Sequence, residues 1–158
     1  QTIDTLFQSR RNVACLGINW HMFGSNGLLS KPEGSLLTNF ISASLPTRPG
    51  NEHVKIIFMP SRCIPFFINP HEILTKPFFH EINTNGEYFS GHFNPIDHYS
   101  NIKINHYFTK SLEQWKARRS LGKGDYINDY RPLNEFYQFD YNDIKDTTAI
   151  TYFKSKEK

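Results

Sequence analysis

Of the side chains able to do chemistry here, His106 and Lys110 in Ile104-Asn105-His106-Tyr107-Phe108-Thr109-Lys110-Ser111 are the most suggestively placed. An imidazole beside a Tyr and a Lys is a ligand for a divalent metal or a contact for a phosphate. Lys110 opens a basic run that continues through Lys116, Arg118, Arg119 and Lys123. Basic groups at a helix N-terminus suit a diphosphate. By spacing alone His106 reads first as a hydrogen-bonded structural histidine, and Lys116 and Arg118 as a solvated helix face. A second group is Asn19-Trp20-His21-Met22-Phe23-Gly24-Ser25-Asn26-Gly27, a Trp and a His just before a flexible turn. Indole rings stack on sugar faces, and such a turn wraps a ligand. A core Trp is the plainer alternative. His71, His80, His92 and His98 are scattered and read as surface residues, although His92 is near enough in sequence to meet Asp97 or His98. Glu33, Glu72, Glu81, Glu87 and Asp97 are the acids able to act as a base toward a hydroxyl, and nothing in the sequence selects among them.

These residues need elements to hold them. Asn101, Lys103 and Asn105 alternate with Ile102, Ile104 and a bulky pair, which predicts a strand over 101–108 with one buried face. Ser111-x-x-Gln114 has the form of a capping box, which predicts a helix from about 111 to 121, stopped by Gly122 and Gly124. Residues 1–11 read as the end of a helix and 12–23 as a strand. Gly34-Ser35 opens a helix running to about Ala43, with Leu36, Leu37, Phe40 and Ile41 on one face. Val54–Met59 and Ile64–Ile68 read as strands. Residues 71–100 read as irregular, with turns at Asn85-Gly86 and Asn94-Pro95. Pro132–Phe136 fits a short helix with Pro in its first turn, and the charged tail past Phe153 is expected to fray.

Composition narrows the classes. The 158 residues suffice for one domain with a core. The net charge of +3 is too slight for a duplex-binding surface, so a nucleic-acid role for the 110–123 basic helix is disfavoured. Aromatic residues reach 15%, which serves a core first and a carbohydrate face second. Cys15 and Cys63 both lie in apolar surroundings and read as buried free thiols rather than a disulfide. No run is long and apolar enough to span a bilayer, and there is no Gly-rich phosphate loop. Gln1 at the start, with a strand following almost at once, reads as a fragment of a longer protein.

Ile104 to Glu113 resembles the INHY-x-TKS-x-E signature of bacterial family-2-like glycosyltransferases and the related glycosyltransferase family 92. Trp20 to Gly27 is similar to the W-x-x-FGSSG block of that group, and Phe136 to Asp146 (with Asp140, Asn142 and Asp146) to its F-x-x-x-D-x-N-x-x-x-D ending. Val54 to Pro60, with His71 beyond, loosely matches a middle block. The blocks occur in order across nearly the whole chain. The resemblance implies a GT-A fold, an α/β domain with a mixed sheet flanked by helices, here the C-terminal part of one glycosyltransferase domain over residues 1–153. It implies sugar transfer from a nucleotide-sugar donor to a glycan acceptor hydroxyl in polysaccharide biosynthesis, assisted by a divalent cation, expected to be Mn2+ in such a fold. On that reading His106 is a metal ligand, Lys110 meets the donor diphosphate, and Trp20 and Ser25 meet the acceptor. A bacterial origin, taken from the closer signature match, implies a cytoplasmic location, with a peripheral position at the inner membrane face as an option. Three departures stand out. No Asp-x-Asp occurs, although the family carries one ahead of the part matched here. Thr38 stands in a slot usually acidic, and Leu121-Gly122 where Arg-Gly is usual. The activity is therefore expected of the intact protein, and this chain alone is expected to bind donor poorly. The rival reading is a non-catalytic glycan-binding or scaffolding module on a degenerate form of the same fold, using Trp20 and the aromatic loops.

Overall fold

The computed structural model describes residues 3–96, 98–99, 102–119 and 132–156. Asp97, Asn101, Leu121, Gly122, Lys123 and Gly124, all invoked above, lie outside the described residues. The protein is mixed α/β, and it divides into two compact units: Gln1–Trp20 with Pro49–Ile104, and His21–Arg48 with Asn105–Lys158. Among the described residues no helix is long and apolar enough to cross a membrane.

The first unit is built on strand β1 (Val13–Phe23), which runs on into the second unit. Its sequence is apolar nearly throughout, without alternation, as expected of a strand covered on both faces. Helix α1 (Ile3–Ser9) precedes it. Strand β3 (Val54–Phe58) pairs antiparallel to β1, with Cys15 opposite Phe58 and Asn19 opposite Val54. Strand β6 (His80–Asn83) pairs parallel to β1 and places Glu81 opposite Cys15; β7 (Tyr88–Phe89) pairs antiparallel to β6. The sheet is therefore mixed. A register slip between Val13 and Cys15 puts Val13 on the same side as Leu16 and Ile18, where Phe7 and Ile82 complete one apolar cluster. Ala14, Cys15, Cys63 and Ile73 form the other. Gly17 leaves room for the Phe89 ring, which a Cβ there would displace. Strands β4 (Cys63–Asn69) and β5 (Glu72–Thr75) make a separate two-stranded hairpin.

The second unit begins with the end of β1. Phe23 pairs with Ala43 of β2 (Ser42–Ala43), and β2 pairs with β9 (Ile144–Lys145). Strand β8 (Ile104–Tyr107) also pairs with β1 and leads into α3 (Leu112–Arg119). Helices α4 (Leu133–Phe139) and α5 (Thr148–Lys156) complete it. Trp115 is fully buried and meets Phe108 and Phe136 edge-on, at centroid distances of 5.3 and 5.8 Å.

Several elements differ from the sequence reading. Helix α2 covers only Leu36–Asn39, not the stretch to Ala43. The Asn26 side chain donates to the Asn39 carbonyl and accepts from the Ser42 N–H, so the next backbone groups join a sheet rather than a helix. The segment 71–100 is not irregular throughout but carries β5, β6 and β7. Strands of two to four residues are too short to show a period. The four residues of β8 are all half-buried, without the single buried face expected. Pro132 is the N-cap of α4 rather than part of its first turn, and α5 continues to Lys156 through residues expected to fray.

Candidate functional site

In the second unit the three signature blocks are fastened to one another. Gly24 lets the chain pass close to the Tyr141 carbonyl, where a Cβ would clash. Ser25 follows, with 1% of its surface exposed. Its N–H and hydroxyl donate to the two carboxylate oxygens of Asp140 at 2.5 and 2.8 Å, and its oxygen accepts the Gly27 N–H. The buried Thr109 hydroxyl approaches the same carboxylate at 3.3 Å. Asn142 accepts the Asn26 N–H at 2.8 Å. Buried His21 faces the Ser44 carbonyl with Nε2 (2.9 Å) and Asp146 with Nδ1 (3.3 Å). Asp143 holds Arg48 through two hydrogen bonds, and that pairing pulls its carboxyl below the ordinary range. The buried members, His21, Ser25 and Thr109, thus have their polar groups engaged within the fold, as buried polar groups must.

His106 is half-buried on β8. Its Nδ1 lies 3.3 Å from the Met22 sulfur, and its ring stacks on Phe108 at 5.7 Å. A thioether is a soft neighbour for a cation that prefers oxygen. Among the described residues no three His, Cys, Asp or Glu side chains are grouped to hold a metal. The described neighbours of the His106 ring are thus a thioether and an aromatic ring.

Lys110 has φ +55°, an uncommon conformation for a side-chain-bearing residue, at the corner between β8 and α3. The capping box forms as expected: the Gln114 N–H donates to Ser111 Oγ at 3.3 Å, and the Ser111 N–H to Gln114 Oε1 at 3.4 Å. The remaining N–H groups of the first turn are also occupied. Leu112 and Glu113 donate to the carbonyls of Leu28 and Leu29 at 3.1 and 2.9 Å. The helix end therefore has few donors to offer an anion. Arg118 is not on a solvated face: it donates to the Phe108 carbonyl and lies over the Trp115 ring, while Lys116 is exposed.

The remaining candidate, Trp20, falls in the first unit. Its indole is half-buried and stacks on His53 with centroids 4.8 Å apart and planes 12° apart, and His71 meets it edge-on. His71 Nδ1 lies 2.6 Å from the Val54 carbonyl. Burial pushes the His53 imidazole below its usual pKa, and neighbouring His71 adds to this.

The sequence left the carboxylates undivided; the fold of the first unit separates them. A cavity of about 290 Å3 opens beside β6, with Glu72, Glu81, His80, Tyr88, Phe79 and Phe89 on its wall. Glu81 is 8% exposed. Burial raises its pKa to about 7, and the nearby Glu72 carboxylate pushes the same way against the Gly91 N–H. Glu72 itself meets His92 Nδ1 at 3.3 Å. On the same face of the sheet as Glu81, Cys15 and Cys63 are free buried thiols 3.8 Å apart, both held protonated chiefly by burial. A carboxyl poised near neutrality on the wall of a cavity with aromatic sides is equipped to take a proton from a hydroxyl. Nothing in the local sequence Phe79-His80-Glu81-Ile82 sets this acid apart from the other candidates. No family model, curated protein or solved structure matches the chain.

Proposed function

We propose that this chain is part of a glycosyltransferase and that Glu81 is the base that activates the acceptor. The observation carrying the reading is the Glu81 carboxyl, nine-tenths buried on a cavity wall and raised to about pH 7. As the acceptor oxygen bonds to the anomeric carbon of the donor sugar, its proton passes to Glu81. The electron pair of the breaking sugar–oxygen bond leaves with the nucleoside diphosphate. Aromatic walls at Phe79, Tyr88 and Phe89 suit the C–H faces of a sugar ring, and Glu72 suits its hydroxyls. At about 290 Å3 the cavity has room for a ring or two rather than a long chain. The three ordered signature blocks support the family reading, and in it Lys110 meets the donor diphosphate. A cytoplasmic site of action belongs to the same proposal.

The experiment is a screen of nucleotide sugars and glycan acceptors, with divalent cation present, scored by nucleoside diphosphate release. Turnover should rise with pH through about 7, since only the carboxylate form accepts the proton. Glu81→Gln should lower kcat by roughly 100-fold or more with little change in KM. An unchanged kcat refutes the base role. The rival, a glycan-binding module without catalysis, draws on the committed state of Ser25, Asp140 and the α3 N-terminus. Glycan binding that needs the cavity residues, without diphosphate release under any donor, would establish it instead.

A further inference from the structure

We propose that the β4–β5 hairpin is a docking element for an anionic lipid surface. Directly opposed strand residues share a face. Phe67 opposite Ile73 and Cys63 opposite Thr75 therefore mark one face, with a register slip between the two pairs; Cys63 and Ile73 are buried there, while Phe67 meets Phe58 edge-on but stays 54% exposed. The outer face carries Ile64, Phe66 and Ile68 at alternate positions, and all three are exposed, Phe66 at 59%. A two-stranded sheet with one face on a core ordinarily turns polar residues outward. This one is apolar on both.

The turn that follows adds to the patch at a conformational cost. The Phe79 N–H donates to the Lys76 carbonyl, closing a turn with Pro77 and Phe78 at its centre. Phe78 has φ +71°, in a position that favours glycine, and is 90% exposed. A bulky ring held in water by a strained backbone marks a functional surface.

Charge decides the occupant. Between Lys55 and His80 the bases are Lys55, Arg62 and Lys76, and the single acid, Glu72, lines the cavity and meets His92. Lys55 donates to the Pro70 carbonyl at the hairpin tip and Lys76 to the Ser61 carbonyl at its base, so an ammonium flanks each end. Apolar side chains between lysines match acyl chains beneath anionic headgroups. Ile64, Phe66, Ile68 and Phe78 together offer only a few hundred Å2, well under the roughly 800 Å2 per partner of a stable dimer.

The test is sedimentation of the full chain with vesicles of phosphatidylcholine alone or with three-tenths phosphatidylglycerol. Binding is expected only to the anionic vesicles, falling at least tenfold in Phe66→Ser/Ile68→Ser and in Lys76→Glu. Phe78→Gly is the second variant: vesicle binding should fall while the melting temperature rises, which excludes misfolding as the cause. Equal or absent binding to both vesicles overturns the proposal. So does light scattering that shows a dimer abolished by Phe66→Ser, which would make a second copy the occupant. None of this rests on glycosyl transfer, so either reading can fail alone.

Discussion

Two carboxylates on the two units show how differently a fold can use the same group. Asp140 accepts from the Ser25 N–H, the Ser25 hydroxyl and Thr109, and it ties together three blocks that a reader of the sequence would single out. Glu81 belongs to no recognisable block. It has a cavity in front of it, a backbone N–H and a second carboxylate nearby, and burial keeps its proton on up to about pH 7. A carboxylate surrounded by donors is fixed and structural. One taken out of water without enough donors is poised to exchange a proton. Motif spacing thus records what the fold needs as readily as what a reaction needs.

The comparison is most directly broken at Asp140. Asp140→Ala takes the acceptor from the buried Ser25 hydroxyl and N–H and leaves Thr109 only the Phe23 carbonyl at 3.5 Å, and should lower unfolding stability by roughly 3 kcal/mol in urea titration. A loss below about 1 kcal/mol would mean that the network is incidental and that Asp140 is free for chemistry. Glu81 gives the opposite signature. Its folded pKa of about 7 lies above the 4.5 of a glutamate in water, so the folded protein binds more protons than the unfolded chain between those limits. Stability from this group is complete below pH 4.5, declines as pH rises to about 7 by on the order of 3 kcal/mol, and is level above. Glu81→Gln should remove that decline, and a variant with an unaltered pH–stability curve would place the titration elsewhere. The smallest effect is at Lys110. Relief of its positive φ in Lys110→Gly should add about 1 kcal/mol of stability while donor turnover falls. Stability gained with turnover unchanged would leave the side chain without a role in transfer.

Local features were legible. The Ser111/Gln114 box needs only four consecutive residues, and β1 announces itself by an eleven-residue apolar stretch. The end of α2 was not legible, because Asn26, from outside the helix, takes the Asn39 carbonyl and the Ser42 N–H. Strands β5, β6 and β7 were missed because so few residues carry no period, and their pairing with distant chain is what makes them strands. The candidates at Ser25, His106 and Lys110 were brought into one unit, and Trp20 into the other. Glu81 was one of five acids and had nothing local to distinguish it.

The mixed α/β character, the central strand, the capped helix after Lys110 and the order of the signature blocks could all be read from the residues alone. These depend on side-chain period and on hydrogen bonds between near neighbours. Only the tertiary structure decided that Asp140 is bound to Ser25 across 115 positions and that Glu81 faces a cavity. It also decided that the first N–H groups of α3 are taken by Leu28 and Leu29. A proton affinity or a free donor is set by whatever surrounds the group, and those surroundings come from parts of the chain that sequence distance does not reveal.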